Sequence, residues 1–292
     1  EYGKLKRALF KIVKETCTLP NSMILRGIEL ESREAVHGGG CADIYKGAFG
    51  DMLTALKVLR IFNREDLKAV IRELCKEAIV WRQLKHENVA PFLGLCNDLF
   101  PNRVALVAPW MENGDLSSYL SRNPDADRVS FAVQIALGMR YLHSQDPQII
   151  HGDLRANNVL VDDKHKARIT DFGISKVNVV QTKLSVQSNR GSARWQAPEL
   201  HYNEEGLSHV TTKSDVYAYG MTCFEIFTDT IPFAHLSSDG MVIMEIIQKK
   251  SRPRRPSDPT FQKRGLTDRL WGLLEDCWTF DAQDRLSMVE VT

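Results

Sequence analysis

The sequence has no hydrophobic run approaching the roughly eighteen residues that a membrane span requires. Its opening residues, EYGKLKRALF, carry too much charge for a signal peptide. The expectation is a cytoplasmic chain with no membrane span. Its six cysteines, at positions 17, 41, 75, 96, 223 and 277, include no Cys-x-x-Cys pair and lack the density of a stapled secreted scaffold. Reduced thiols follow. An excess of one charge is missing as well: 38 Lys and Arg against 37 Asp and Glu give +1. That excludes a basic nucleic-acid binder and an acidic tail, so an anionic ligand has to be held by local groups. No internal repeat or low-complexity linker is visible. What is present, 292 residues at 43% hydrophobic and 26% charged, is ordinary globular composition with room for one large or two medium domains.

Along the chain, Leu5, Ala8, Leu9, Ile12 and Val13 fall at helical spacing opposite lysines until Pro20 stops the pattern. Residues 1–20 therefore read as a short basic amphipathic helix that docks on the domain behind it. From EAVHGGG through CADIYKG to MLTALKVLRI the text is β-rich, with Gly50-Asp51 as a turn between two strands. A helical segment from about Arg64 to Leu84 precedes two further strand-like runs, PFLGLC and RVALVAPW. The remainder changes character. FAVQIALGMRYLH, SDVYAYGMTCFEIF, MVIMEIIQ and RLWGLLEDCW are helical, and the second is apolar nearly all round, which predicts burial. RPRRPSDP reads as a solvated connection rather than a binding patch.

Several short stretches carry chemistry. In VHGGGCADIYKG, three glycines between strands let backbone N–H groups approach a phosphate chain, although a bare hairpin tip has the same appearance. Lys57 ends the alternating TALK, where it either meets an anion or snorkels to water. Glu77, among apolar neighbours on the following helix, is a partner for Lys57 or an ordinary surface glutamate. HGDLRANNVL and ITDFGISK then supply Asp153, Asn158 and Asp171. Two carboxylates and an amide oxygen are hard ligands suited to Mg²⁺-assisted phosphoryl transfer; a solvated turn is the plainer reading of the first run. Finally, Ala197-Pro198-Glu199 in GSARWQAPEL has a structural partner for its glutamate in Arg285.

In this order, across nearly the whole chain, the six motifs resemble a protein kinase domain. ALKVLR, EAIVWRQLKHENVAPFLGLC, PWMENGDLSSYL and GSARWQAPEL are similar to the tyrosine-kinase-like group abundant in fungi, whose members mostly phosphorylate Ser or Thr. The resemblance implies an α+β, two-lobed fold. A small antiparallel-sheet lobe with one main helix occupies about 21–108, a hinge about 109–113, and a larger, mainly helical lobe about 114–292, its last helix cut short. It also implies transfer of the γ-phosphoryl group of ATP to protein Ser/Thr hydroxyls with Mg²⁺, or Mn²⁺ in its place, by a monomeric domain of a longer chain. Residue by residue, Asp153 becomes the catalytic base, and Arg155 places positive charge near the transferred phosphoryl. Lys57 holds the α and β phosphates and is oriented by Glu77; Asn158 and Asp171 hold the metal. Gly38, Gly39 and Gly40 cover the phosphates. Ile44, Ala55 and Leu160 sandwich the adenine; Ala108 guards its rear, and Pro109, Trp110 and Met111 form the hinge. His151, Phe172, Trp81 and Phe92 would stack as a spine, with Asp215 anchoring the catalytic loop.

The chain departs from the family in places. The outer glycines of the family's Gly-rich loop fall on His37 and Ala42, and Cys41 replaces its aromatic tip, so a positive φ at either outer position would carry a Cβ penalty. This leaves a partner-binding scaffold as the rival reading, with tyrosine or dual specificity as a second alternative. Gly152 stands where the family has an Arg that binds a phosphate on the activation segment. Activity without phosphorylation at Thr182, Ser185 or Ser188 is expected, with Lys176, Lys183 or Arg190 as substitute partners.

Overall fold

The computed structural model describes residues 21–38, 42–60, 78–101, 103–172, 193–201 and 210–292. The amphipathic helix expected over 1–20 lies outside them. The chain divides into two compact units with the boundary between Met111 and Glu112, and His86–Val89 belong to the second.

The first unit is built on an antiparallel sheet. Its strands are β1 (Ile28–Leu30), β2 (His37–Gly38), β3 (Ala42–Phe49), β4 (Met52–Leu59), β5 (Gly94–Cys96) and β6 (Ala105–Pro109), ordered β1-β3-β4-β6-β5 with β2 on β3. Gly50, at φ 59°, makes the predicted β3–β4 turn. Alternation along β4 buries Thr54, Leu56 and Val58 and leaves Ala55 and Lys57 part-buried on the other face. Leu56 and Val58 join Ile28, Cys96, Ala105 and Val107 in one core. At Gly47 a Cβ would come within 2.7 Å of the Glu29 carbonyl, so only glycine lets β1 lie this close. Residues 78–81 form a helical turn whose Trp81 stacks on Phe92 at 5.0 Å and donates its indole N–H to the Ala90 carbonyl at 2.7 Å. The strand expected over PFLGLC shrinks to three residues, Gly94–Cys96; Pro91 has no N–H to give a ladder, and just before the strand the Leu93 N–H still donates to the Val107 carbonyl at 2.9 Å.

The second unit is mainly helical: α1 (Leu116–Arg122), α2 (Arg128–His143), α3 (Thr212–Thr228), α4 (Asp239–Gln248), α5 (Pro259–Lys263), α6 (Asp268–Cys277) and α7 (Met288–Val291), with a hairpin of β7 (Val159–Val161) and β8 (Ala167–Ile169). The α+β expectation holds. Thr211 and Ser214 form a capping box that starts α3, and nearly every α3 residue after it is buried, as its apolar composition predicts. Cys96, Cys223 and Cys277 are buried free thiols; burial raises the Cys223 pKa to about 12.

Arg285 makes the expected pair. Its guanidinium, fully buried, grips Glu199 bidentately at 2.6 and 2.7 Å. Its remaining donors go to the carbonyls of Lys213, Thr279 and Phe280. Removing the carboxylate would strand a buried cation. Glu199→Ala should therefore cost about 3 kcal/mol, read as a lower urea midpoint at unchanged m-value.

Candidate active site

Asp215, in the first turn of α3, is 1% exposed and aims its carboxylate at the start of HGDLRANN. Its Oδ2 accepts the His151 N–H at 2.8 Å and its Oδ1 the Gly152 N–H at 2.8 Å, while His143 Nε2 lies 2.8 Å from Oδ2. These bonds hold Gly152 at φ 78°, where glycine incurs no Cβ penalty. His151 is fully buried, and its Nδ1 accepts the Asp153 N–H at 3.2 Å. Burial depresses its pKa, which keeps the ring neutral with its proton on Nε2.

The Asp153 carboxylate is 38% exposed, with Arg155 Nη2 3.8 Å from Oδ2. Asn158 donates its amide to the Asp153 carbonyl at 2.6 Å and to the carboxylate at 3.0 Å. The donor end of that amide is thus spent on Asp153, and its oxygen points elsewhere. A second carboxylate on α3 holds the far end of the loop: Glu225 Oε2 accepts the Ala156 N–H at 3.1 Å and the Trp195 indole N–H at 3.0 Å. Burial raises the Glu225 pKa against both bonds. The roles of Glu225, Trp195 and His143 are absent from the sequence reading; the one available signal was a glutamate inside the apolar run FEIF.

The β7–β8 hairpin brings the remaining polar residues together. Asp162 closes its turn by accepting the Lys164 and Lys166 N–H groups, both at 2.9 Å, and Arg168 Nε at 2.8 Å. Val159 pairs with Ile169, and the Thr170 N–H donates to the Asn158 carbonyl at 3.0 Å, so Asn158 and Asp171 emerge at the same open end. Asp171 sits at φ 62°, a left-handed conformation rare for a residue with a Cβ. Phe172, buried, meets the His151 ring edge-on at 6.4 Å. Leu160, part-buried, bridges to Asp115.

In the first unit, the register sets Ile44 opposite Lys57, Lys46 opposite Ala55, and Ala55 opposite Ala108. Directly opposed residues share a sheet face, so Ile44, Ala55, Lys57 and Ala108 lie on the face away from the core. The Trp110 N–H donates to the Leu53 carbonyl at 2.9 Å, which makes Thr54 and Pro109 a non-hydrogen-bonded pair and turns the Pro109 carbonyl away from β4. Met111 ends the unit, part-buried. Gly38 pairs with Asp43 in β2. Neither His37 nor Ala42 has a positive φ; both are extended, so the penalty feared for their Cβ atoms does not arise. Gly39, Gly40, Cys41 and Glu77 lie outside the described residues, as do Thr182, Ser185, Ser188, Lys176, Lys183 and Arg190.

The family model described as protein tyrosine and serine/threonine kinase matches residues 30–292. The chain belongs to the protein kinase family. Its relatives include the probable serine/threonine-protein kinase drkC of Dictyostelium discoideum, 32% identical over 268 residues, covering 90% of this chain and 34% of that protein. The serine/threonine-protein kinase CTR1 of Arabidopsis thaliana is 28% identical over 270 residues, covering 90% of this chain and 31% of its own. The serine/threonine-protein kinase TNNI3K of Mus musculus is 32% identical over 222 residues, covering 75% and 26%. The kinase domain thus spans about a third of the length of these curated relatives. Members of the family use ATP and a divalent metal ion, and no helix among the described residues is long and apolar enough to cross a membrane.

The neutral, buried His151 gives the kinase domain a pH dependence of known sign. A histidine whose pKa is depressed by folding contributes stability in full above its unfolded value, 6.5, and loses it as the pH falls toward the folded value. Urea unfolding from about pH 8 to about pH 5 should show stability falling below about pH 6.5. His151→Gln should be less stable throughout but flatter across that window.

Proposed function

We propose that the domain transfers the γ-phosphoryl group of ATP to Ser or Thr hydroxyls of protein substrates, with Asp153 as the base that accepts the hydroxyl proton. The observation that carries this reading is the Asp153 carboxylate itself, presented to solvent by a loop whose backbone is pinned at both ends from a buried helix. Asn158 fixes its direction, and Arg155, a planar cation beside it, lies where negative charge on the transferred group would be met. The names of the relatives, all Ser/Thr kinases, support the choice of hydroxyl.

With its N–H end spent on Asp153, Asn158 has its amide oxygen to offer, and that oxygen and the Asp171 carboxylate at the same hairpin end make a pair of hard oxygen donors that fits Mg²⁺. Bound there, the ion would neutralise phosphate charge. Lys57, aided by Glu77, is assigned to the α and β phosphates, and Gly38, Gly39 and Gly40 to their backbone cover. Ile44, Ala55 and Leu160 are assigned to the faces of the adenine, and the Pro109 carbonyl and the Met111 backbone to its edge. We read the chain as a cytoplasmic, monomeric domain; that it is part of a longer protein is supported by the greater length of its relatives.

With Mg-ATP and a degenerate Ser/Thr/Tyr peptide library, phosphate should appear on Ser and Thr. Asp153→Asn should lower turnover by about a hundredfold or more, and Asp171→Asn should do the same while raising the Mg²⁺ requirement. A wild type no faster than Asp153→Asn would overturn the assignment.

Ala108 and its cross-strand neighbour Ala55 put two methyl groups side by side on the nucleotide face. Inhibitors of ATP binding with a large apolar rear group should gain about 0.8 kcal/mol for each CH₂ they bury. Ala108→Phe should weaken them while leaving the KM for ATP within a few-fold, checked by parallel inhibition curves.

A further inference from the structure

The basic run KKSRPRRP, Lys249 to Pro256, divides into two kinds of cation. Lys249 pairs with Glu245 at 2.8 Å and Arg255 with Asp268 at 2.5 Å. Lys250, Arg252 and Arg254 have no carboxylate partner among the described residues. Between them Pro253 is buried and lines two concavities at once. On one side is a groove of about 530 Å³ walled by Phe224, Ile231, Phe233 and Ala234, with His235 and Arg254 at its rim. On the other is a pocket of about 300 Å³ walled by Trp271, Trp278 and Phe280 together with Lys250, Arg252 and Glu275.

The second pocket is cationic for a physical reason. Arg252 gives Nε–H to the Trp278 carbonyl at 2.5 Å and Nη1–H to the Ser251 carbonyl at 2.7 Å, while its guanidinium lies 5.7 Å from the Phe280 ring centre. Burial holds its pKa below the ordinary arginine value. A part-buried cation without a counter-charge is stabilised when an anion arrives. Lys250 Nζ stands over the same Phe280 ring, 4.7 Å from its centre. The one carboxylate in the wall, Glu275, accepts the Trp271 indole N–H at 2.8 Å and shares the pocket with two cations, Lys250 and Arg252, that have no carboxylate partner among the described residues. Both concavities belong to the second unit, and neither includes a residue assigned above to phosphoryl transfer.

We propose that this surface docks a linear segment of a partner protein, with an apolar side chain in the groove beside Ile231 and Phe233 and an adjacent acidic side chain at Lys250, Arg252 and Arg254. The combination selects a peptide. A groove of this volume takes one or two apolar side chains, and Arg254 stands at its rim; immediately across Pro253, two cations in a concave aromatic pocket meet a carboxylate cluster better than a flat anionic surface does. The near-neutral net charge leaves no general attraction to an anionic membrane.

The test uses the chain as it stands with fluorescein-labelled decapeptides of Gly and Ser that carry two leucines followed by two glutamates, or the reverse order. Fluorescence anisotropy should show micromolar binding of one order, weakened by added salt and by replacing the glutamates with glutamine or the leucines with alanine. Lys250→Glu with Arg254→Glu, and separately Ile231→Asp, all at exposed side chains, should each weaken binding by about tenfold at unchanged melting temperature and peptide-phosphorylation rate. The proposal is overturned if neither peptide order binds, if binding ignores both sets of substitutions, or if only phosphatidylserine vesicles are captured.

Discussion

The carboxylate of Asp215 is what the candidate active site hangs from. A capping box begins α3, and this places Asp215 within the first turn of a helix buried on nearly every side. Taking a charge out of water is costly, and two backbone N–H groups with the His143 ring offset that cost while fixing the chain at His151 and Gly152. The left-handed turn at Gly152 then directs Asp153 outward. Glu225, ten residues and so about 15 Å further along the axis, repeats the device at Ala156. A loop of a few residues is thereby given the rigidity of the helix behind it.

The same economy operates at the hairpin. Asp162 satisfies the turn between β7 and β8, and the register alone sets Asn158 beside Asp171. The left-handed φ of Asp171 is strain at a position proposed to bind the metal ion, beside the buried Phe172 set against His151. The position of these polar groups follows from backbone pairing, and the Asn158 side chain adds direction at Asp153.

Much of this was legible beforehand. The order of the motifs singled out Lys57, Asp153, Asn158 and Asp171, of which the fold brings Asp153 against Asn158; the all-round apolar text of SDVYAYGMTCFEIF predicted the buried α3, and Gly50-Asp51 predicted a turn. Other features depended on facts that pattern does not carry. Whether His37 and Ala42 bear a conformational penalty is decided by φ, which no spacing of glycines reveals. The role of Glu225 is not readable from the helix alone because its partners, Ala156 and Trp195, are 69 and 30 residues distant in the chain. RPRRPSDP read as a solvated connection, yet Arg255 within it pairs with Asp268 while Arg252 and Arg254 have no carboxylate partner among the described residues. A pair whose members lie 13 residues apart, as Arg255 and Asp268 do, is invisible to local composition.

Pro109 has a consequence of a different kind. The β5 pairing covers Ala105 to Val107 and leaves the end of β6 uncovered on that side among the described residues. Because Thr54 and Pro109 form a non-hydrogen-bonded pair, a backbone N–H at position 109 would point into that opening and offer another extended chain a donor. Proline removes the donor and keeps the acceptor. An open strand edge is thereby guarded against aggregation by strand addition, while its carbonyl remains accessible to a small molecule that brings its own N–H.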